Sequence, residues 1–162
     1  MKKVFLCMLC VYVMCMVSAC ISSDEGYDDY FGINKEDFKV IKEEDSHGGF
    51  HGDGNYVLIL DCSGKKGKAL ETVSKWNELP LSENLEIKLY GGEDDGITYV
   101  NTIAERYNIP RIKNGYYKFY DRHDESKDRE DDSELLERYS DNYSLALYDG
   151  DTDILYFFEI DT

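Results

Sequence analysis

Five consecutive apolar residues, Tyr56-Val57-Leu58-Ile59-Leu60, stand between the polar residues Asn55 and Asp61. The run is too short for a buried helix and has no polar side, so it predicts a strand covered on both faces. Such a strand needs neighbours along its edges and apolar layers above and below, which commits the chain to a layered structure built on a sheet.

The partner strands are legible. Phe38-Lys39-Val40-Ile41 starts a first strand, and the glycine-rich stretch from Gly48 to Gly54 separates it from the apolar run. Tyr116 to Tyr120 is aromatic-rich and strand-like. Tyr143–Tyr148 and Ile154–Ile160 flank Asp149-Gly150-Asp151-Thr152-Asp153, a pattern that predicts a hairpin. Leu85-Glu86-Ile87-Lys88-Leu89 alternates cleanly and predicts a half-buried strand. Ala69 to Trp76 reads as a short helix with Leu70, Val73 and Trp76 on one side. Val100, Ile103, Ala104 and Tyr107 follow helical spacing, with Asp94 or Asp95 as the expected cap and Pro110 as the stop. After a polar loop from Asp121 to Asp132, Asp131 and Glu134 are spaced as a capping box for a short helix bearing Leu135, Leu136 and Tyr139. No internal repeat is present. The expected fold is a single α+β domain: a mostly antiparallel or mixed sheet with two or three short helices packed on one face.

The N-terminus has a different composition. Met1-Lys2-Lys3 is followed by an apolar run from Val4 to Val17 and then by Ser18-Ala19-Cys20. A basic start, a short apolar core and small residues form a secretory signal, and the core is too short to span a bilayer comfortably. Val17-Ser18-Ala19-Cys20 resembles the lipobox of bacterial lipoproteins. That resemblance implies cleavage before Cys20, a diacylglyceryl group on its thiol, and anchorage on the extracytoplasmic face of the cell membrane. Residues 1–19 are then signal peptide, 20–36 the lipidated N-terminus and tether, and 37–162 the folded domain.

Cleavage changes the counts that matter. The chain holds 18 Lys and Arg against 34 Asp and Glu, a net −16. Losing Lys2 and Lys3 leaves 16 cations against 34 carboxylates, a net −18. Nucleic acid is a poor partner for such a surface, because phosphate binding needs a basic face. Anionic headgroups are equally poor partners, so attachment to the membrane falls to the lipid on Cys20. Of five cysteines, Cys7, Cys10 and Cys15 leave with the signal and Cys20 is lipidated. Only Cys62 remains, so no disulfide forms within the mature chain.

Four features could carry chemistry. His47 and His51 flank Gly48-Gly49-Phe50, with Asp53 just beyond, and His123 follows the aromatic strand among charges. Imidazole and carboxylate suit zinc or a similar divalent metal, so His47, His51, Asp53 and His123 form a candidate metal site if the fold gathers them. The alternative is a glycine-shaped bulge whose histidines make ordinary hydrogen bonds. Asp149-Gly150-Asp151-Thr152-Asp153 alternates carboxylates like the start of a calcium loop, but Ile154 and Ile160 occupy the places where an EF-hand needs Gly and Glu. A hairpin turn is the simpler reading. Tyr116, Tyr117 and Tyr120 form a candidate binding surface for sugars or peptides, unless they half-cover the core. Cys62 follows an all-apolar strand, a poor setting for an activated thiolate. The chain has no Gly-x-Ser-x-Gly elbow, Walker loop or His-Glu-x-x-His motif.

His47-Gly-Gly-Phe-His-Gly-Asp-Gly54, Trp76-Asn-Glu-Leu-Pro-Leu81, Asn114-Gly-Tyr-Tyr-Lys-Phe-Tyr-Asp-Arg-His123 and Tyr148-Asp-Gly-Asp-Thr-Asp-Ile-Leu-Tyr156 resemble segments of small uncharacterised lipoproteins of Gram-positive bacteria. The resemblance implies the compartment and the single-domain architecture and brings no catalytic residue with it. The expected role is non-catalytic binding of a protein or cell-wall ligand at the cell surface. The alternative is a small metal-dependent enzyme using His47, His51 and His123.

Overall fold

A computed structural model describes residues 30–48 and 53–162. In chain order its strands are β1 (Lys39–Asp45), β2 (Gly54–Asp61), β3 (Asn77–Glu78), β4 (Gly92–Asp94), β5 (Ile97–Tyr99), β6 (Gly115–Asp121), β7 (Asn142–Asp149) and β8 (Ile154–Asp161). The helices are α1 (Lys66–Val73), α2 (Glu83–Tyr90) and α3 (Ile103–Tyr107). Six strands form one sheet in the order β1-β2-β8-β7-β6-β3, with every pairing antiparallel, and β4-β5 is a separate hairpin. The expected α+β class is therefore the observed one.

The apolar run is β2, and it is buried on both faces. Its side chains alternate: Val57 and Ile59 join Leu145, Leu147, Tyr156 and Phe158 in one cluster. Leu58 and Leu60 join Ala146, Tyr148, Leu155 and Phe157 in the other. Antiparallel register aligns them into rows, such as Leu58 opposite Phe157 and Phe157 opposite Ala146. Each fully buried Leu or Phe contributes about 1.5–3 kcal/mol, so these two layers dominate the stability.

The helices divide between the faces rather than gathering on one. Ala69 and Val73 of α1 cover the second cluster together with Phe31 and Ile33, whereas Leu85 and Leu89 of α2 and Ala104 of α3 cover the first. A strand covered on both faces demands two lids, which is why one helical layer could not suffice. Phe31 and Ile33 are each only 3% exposed, so the packed unit reaches back into the segment expected as tether.

Three local expectations differ from the structure. Leu85–Leu89 is not a strand but the body of α2, buried through Leu85, Ile87 and Leu89. Ser82 caps it by accepting from Leu85 N–H, Glu83 and Glu86 sit in the first turn, Lys88 in the last, and Gly91 ends it at φ +84°. Those end signals suit the helix dipole and outweigh five residues of alternation. The cap of α3 is Thr102, in a complete capping box with Glu105, rather than Asp94 or Asp95. The latter belong to the β4–β5 hairpin, where Asp95 and Gly96 take the positive φ of a tight turn. Residues 133–137 form turns, not a helix: Asp131 accepts from Ser133 N–H and Glu134 pairs with Arg138.

Candidate functional site

Register brings together a cluster that sequence spacing conceals. Because β2 pairs with β8, Gly54 lies opposite Asp161, and β1 pairs back so that Asp45 lies opposite Tyr56. His47, just after β1, is thereby placed beside Asp161. Its Nδ1 lies 2.7 Å from Asp45 Oδ1 and its Nε2 lies 2.9 Å from Asp161 Oδ2. Arg122 reaches the same Asp161 carboxylate at 2.9 Å and donates to the carbonyls of Tyr143 and Ile160. Burial opposes a charged ring at His47, but its hydrogen bonds to Asp45 and Asp161 outweigh it and hold the pKa above the ordinary 6.5. Glu159, two residues inward on β8, is held above the usual carboxylate range by burial, against the pull of Arg122.

Both nitrogens of His47 are thus engaged by carboxylates. The arrangement is a clasp between the β1–β2 connection and β8 in which both ring nitrogens face carboxylate oxygens, the geometry that favours the imidazolium form. His123 lies at the same end of the sheet, beside Arg122, yet has its own partners. It is buried, its Nδ1 accepts from Glu125 N–H, and its ring meets Tyr139 edge-on at 6.3 Å. Asp53 is exposed. His51 and Cys20 lie outside the described residues. Among the described residues, no three His, Cys, Asp or Glu side chains gather to hold a metal ion.

Asp121 anchors the polar segment that follows β6. It is 1% exposed, pairs with Arg138 and accepts from His123 N–H, while Arg129 donates to the carbonyls of Asp121 and His123. Composition marks residues 121–132 as a loop but gives no sign that a buried carboxylate organises it. Asp121 and Arg138 are 17 residues apart, and only the fold joins them.

The aspartate turn is spent internally. Asp149 accepts from Asp151 N–H and the Thr152 hydroxyl, and Asp153 accepts from Tyr148 Oη and pairs with Lys66 at 2.7 Å. Lys66 and the Tyr148 hydroxyl hold Asp153 below the usual carboxylate range. Cys62 is fully buried, and burial pushes its thiol up to about 12, so it stays protonated.

The three tyrosines do not form one surface. Tyr116 and Tyr120 pack with the second cluster, on the α1 side, and Tyr117 packs with the first, on the opposite face. Tyr120 lies against Tyr30, whose ring also receives Lys118. Tyr116 instead lines an open cleft of about 400 Å³ near the β7–β8 turn, within the range of ligand pockets. Lys66 and Leu70 of α1, Glu78 of β3, Leu79, Lys113 and Asp151 surround it. Its backbone is tight: Gly150 N–H donates to Asn114 O, and Leu79 N–H donates to Gly115 O. Sequence reasoning found Tyr116 but not the cleft, because residues 66–79, 113–116 and 148–151 meet only through the sheet.

Comparison with protein families, with curated proteins and with solved structures gives no match to this chain.

Proposed function

We propose that this chain is a lipid-anchored domain on the extracytoplasmic face of a bacterial cell membrane, held by lipid on Cys20, and that it binds a partner without transforming it. The supporting observation is a contrast between groups. Among the described residues, the candidate reactive groups are engaged within the fold: His47 by two carboxylates, Asp153 by Lys66 and Tyr148, Cys62 by burial. The cleft beside Tyr116, by contrast, turns exposed charges and apolar surface outward. Convergent polar groups over an apolar floor recognise ligands and need no nucleophile or base to do so. A protein or cell-wall component is the partner expected in that compartment.

The anchor is tested by cell fractionation of the wild type and of Cys20→Ser. The wild type is expected in the membrane fraction with a diacylglyceryl mass on its N-terminal peptide, and Cys20→Ser in neither state. Equal membrane association of the two proteins would sink the anchoring reading.

A further inference from the structure

We infer that the cleft beside Tyr116 binds a short extended peptide carrying both a free amine and a free carboxylate. This rests on the binding reading above and adds to it a site and a class of ligand. Three observations carry it.

The rim holds charge of both signs. Lys66 and Lys113 line the cleft with Glu78 and Asp151, which makes the rim neutral in a molecule of net −16. Lys113 and Glu78 are exposed, and neither has an ionic partner among the described residues. Lys66 is shared with Asp153, and Asp151 accepts one hydrogen bond from the Asn114 amide. A polyanion would meet both the carboxylates and the field of the whole molecule, and a polycation would meet two lysines. A neutral sugar would hydrogen-bond to the lysine and glutamate but leave both charges uncompensated. A ligand with an ammonium at one end and a carboxylate at the other satisfies both.

The surface between the charges is apolar. Leu70 and Tyr116 are half-buried residues that line the cleft and pack with the second cluster, and the buried Tyr148 lies in the same layer, whereas Leu79 packs with the first cluster on the far face. An aliphatic side chain set between the two charges of the ligand would cover that surface.

Glu78 also offers backbone. β3 is the end strand of the sheet, so among the described residues no strand pairs along its outer side. Leu79 N–H donates to Gly115 O, so the antiparallel alternation turns the N–H and C=O of Glu78 away from β6. An extended peptide can pair with exactly such a one-residue edge, as strand-addition ligands do.

The test uses the full chain in detergent micelles, labelled with nitrogen-15, titrated with the tripeptide Lys-Leu-Glu. The controls are end-capped Gln-Leu-Gln and a chitin tetrasaccharide. Saturable shifts of the Glu78, Lys113, Gly115 and Tyr116 amides are expected with Lys-Leu-Glu alone. Lys113→Ala and Glu78→Gln are each expected to weaken binding about threefold, the scale of an exposed ion pair. Equal binding of the capped neutral peptide, binding of the sugar in its place, or shifts confined to other residues would overturn the peptide assignment. Cleavage of Lys-Leu-Glu in the same samples, read by mass spectrometry, would instead overturn the non-catalytic reading.

Discussion

A Cβ on Gly115 would stand 1.9 Å from Tyr148 O, and the backbone there sits at φ +146°. The same glycine sets the wall of the cleft and the start of β6, so strain and contact act at one atom. Gly115→Ala is expected to lower stability by about 3 kcal/mol or more, read as a shifted urea midpoint. A change under 1 kcal/mol would show that the two strands separate there at little cost. His47 makes a different kind of statement at the same scale. Its pKa is raised in the folded chain, so its contribution is fully present below the ordinary 6.5 and is lost as pH climbs through the folded value. Burial raises Glu159 as well, and its ionisation in the fold removes stability in the same direction. Wild-type stability is therefore expected to fall towards that of His47→Gln as pH rises through the folded pKa of His47. Urea titrations of both proteins across that interval check it, and a constant gap between them would refute the clasp.

Among the elements, the segment from Arg122 to Asp141 shows how a polar stretch becomes ordered. Its anchor is Asp121, whose side chain is 2% exposed and whose charge is matched by Arg138. Removing one partner of a buried pair leaves the other uncompensated, so Arg138→Ala is expected to cost about 3–5 kcal/mol. Amide exchange should accelerate first between residues 122 and 141, and unchanged protection there would count against this account. The link extends to α2, since the Asn84 amide donates to the carbonyls of Asp132 and Ser133. How much of this was legible depended on the range of the determining contact. β2, β6 and the β7–β8 hairpin are written locally, as apolar or alternating runs bounded by Asp and Gly, and they fold as read. Leu85–Leu89 fits both periods within five residues, and the deciding signals, Ser82 and Gly91, lie outside that window. The second partner of His47 was beyond reach: Asp161 is 114 residues away and arrives through strand register, whereas Asp45 is a local neighbour. The cleft likewise has no local signature.

Across the whole molecule, the sheet order puts β8 between β2 and β7, at the centre of both apolar clusters. Deleting residues 154–162 removes the only strand that joins β1-β2 to β7-β6-β3 among the described elements. Such a chain is expected to lose cooperative thermal unfolding altogether, checked by circular dichroism, and a retained sharp transition would mean that β2 pairs directly with β7. Charge acts at this scale too. A net −16 repels itself in the compact state, so added salt should raise the melting temperature of the wild type.

The central place of β8 also sets an order in time. Ribosomes deliver β2 about a hundred residues before the strand that must lie beside it, so the first half of the chain waits without its neighbour while the second is made. Neither apolar layer can close until residues 154–161 emerge. A nascent chain of this design is therefore expected to complete its packing only when its synthesis is nearly finished.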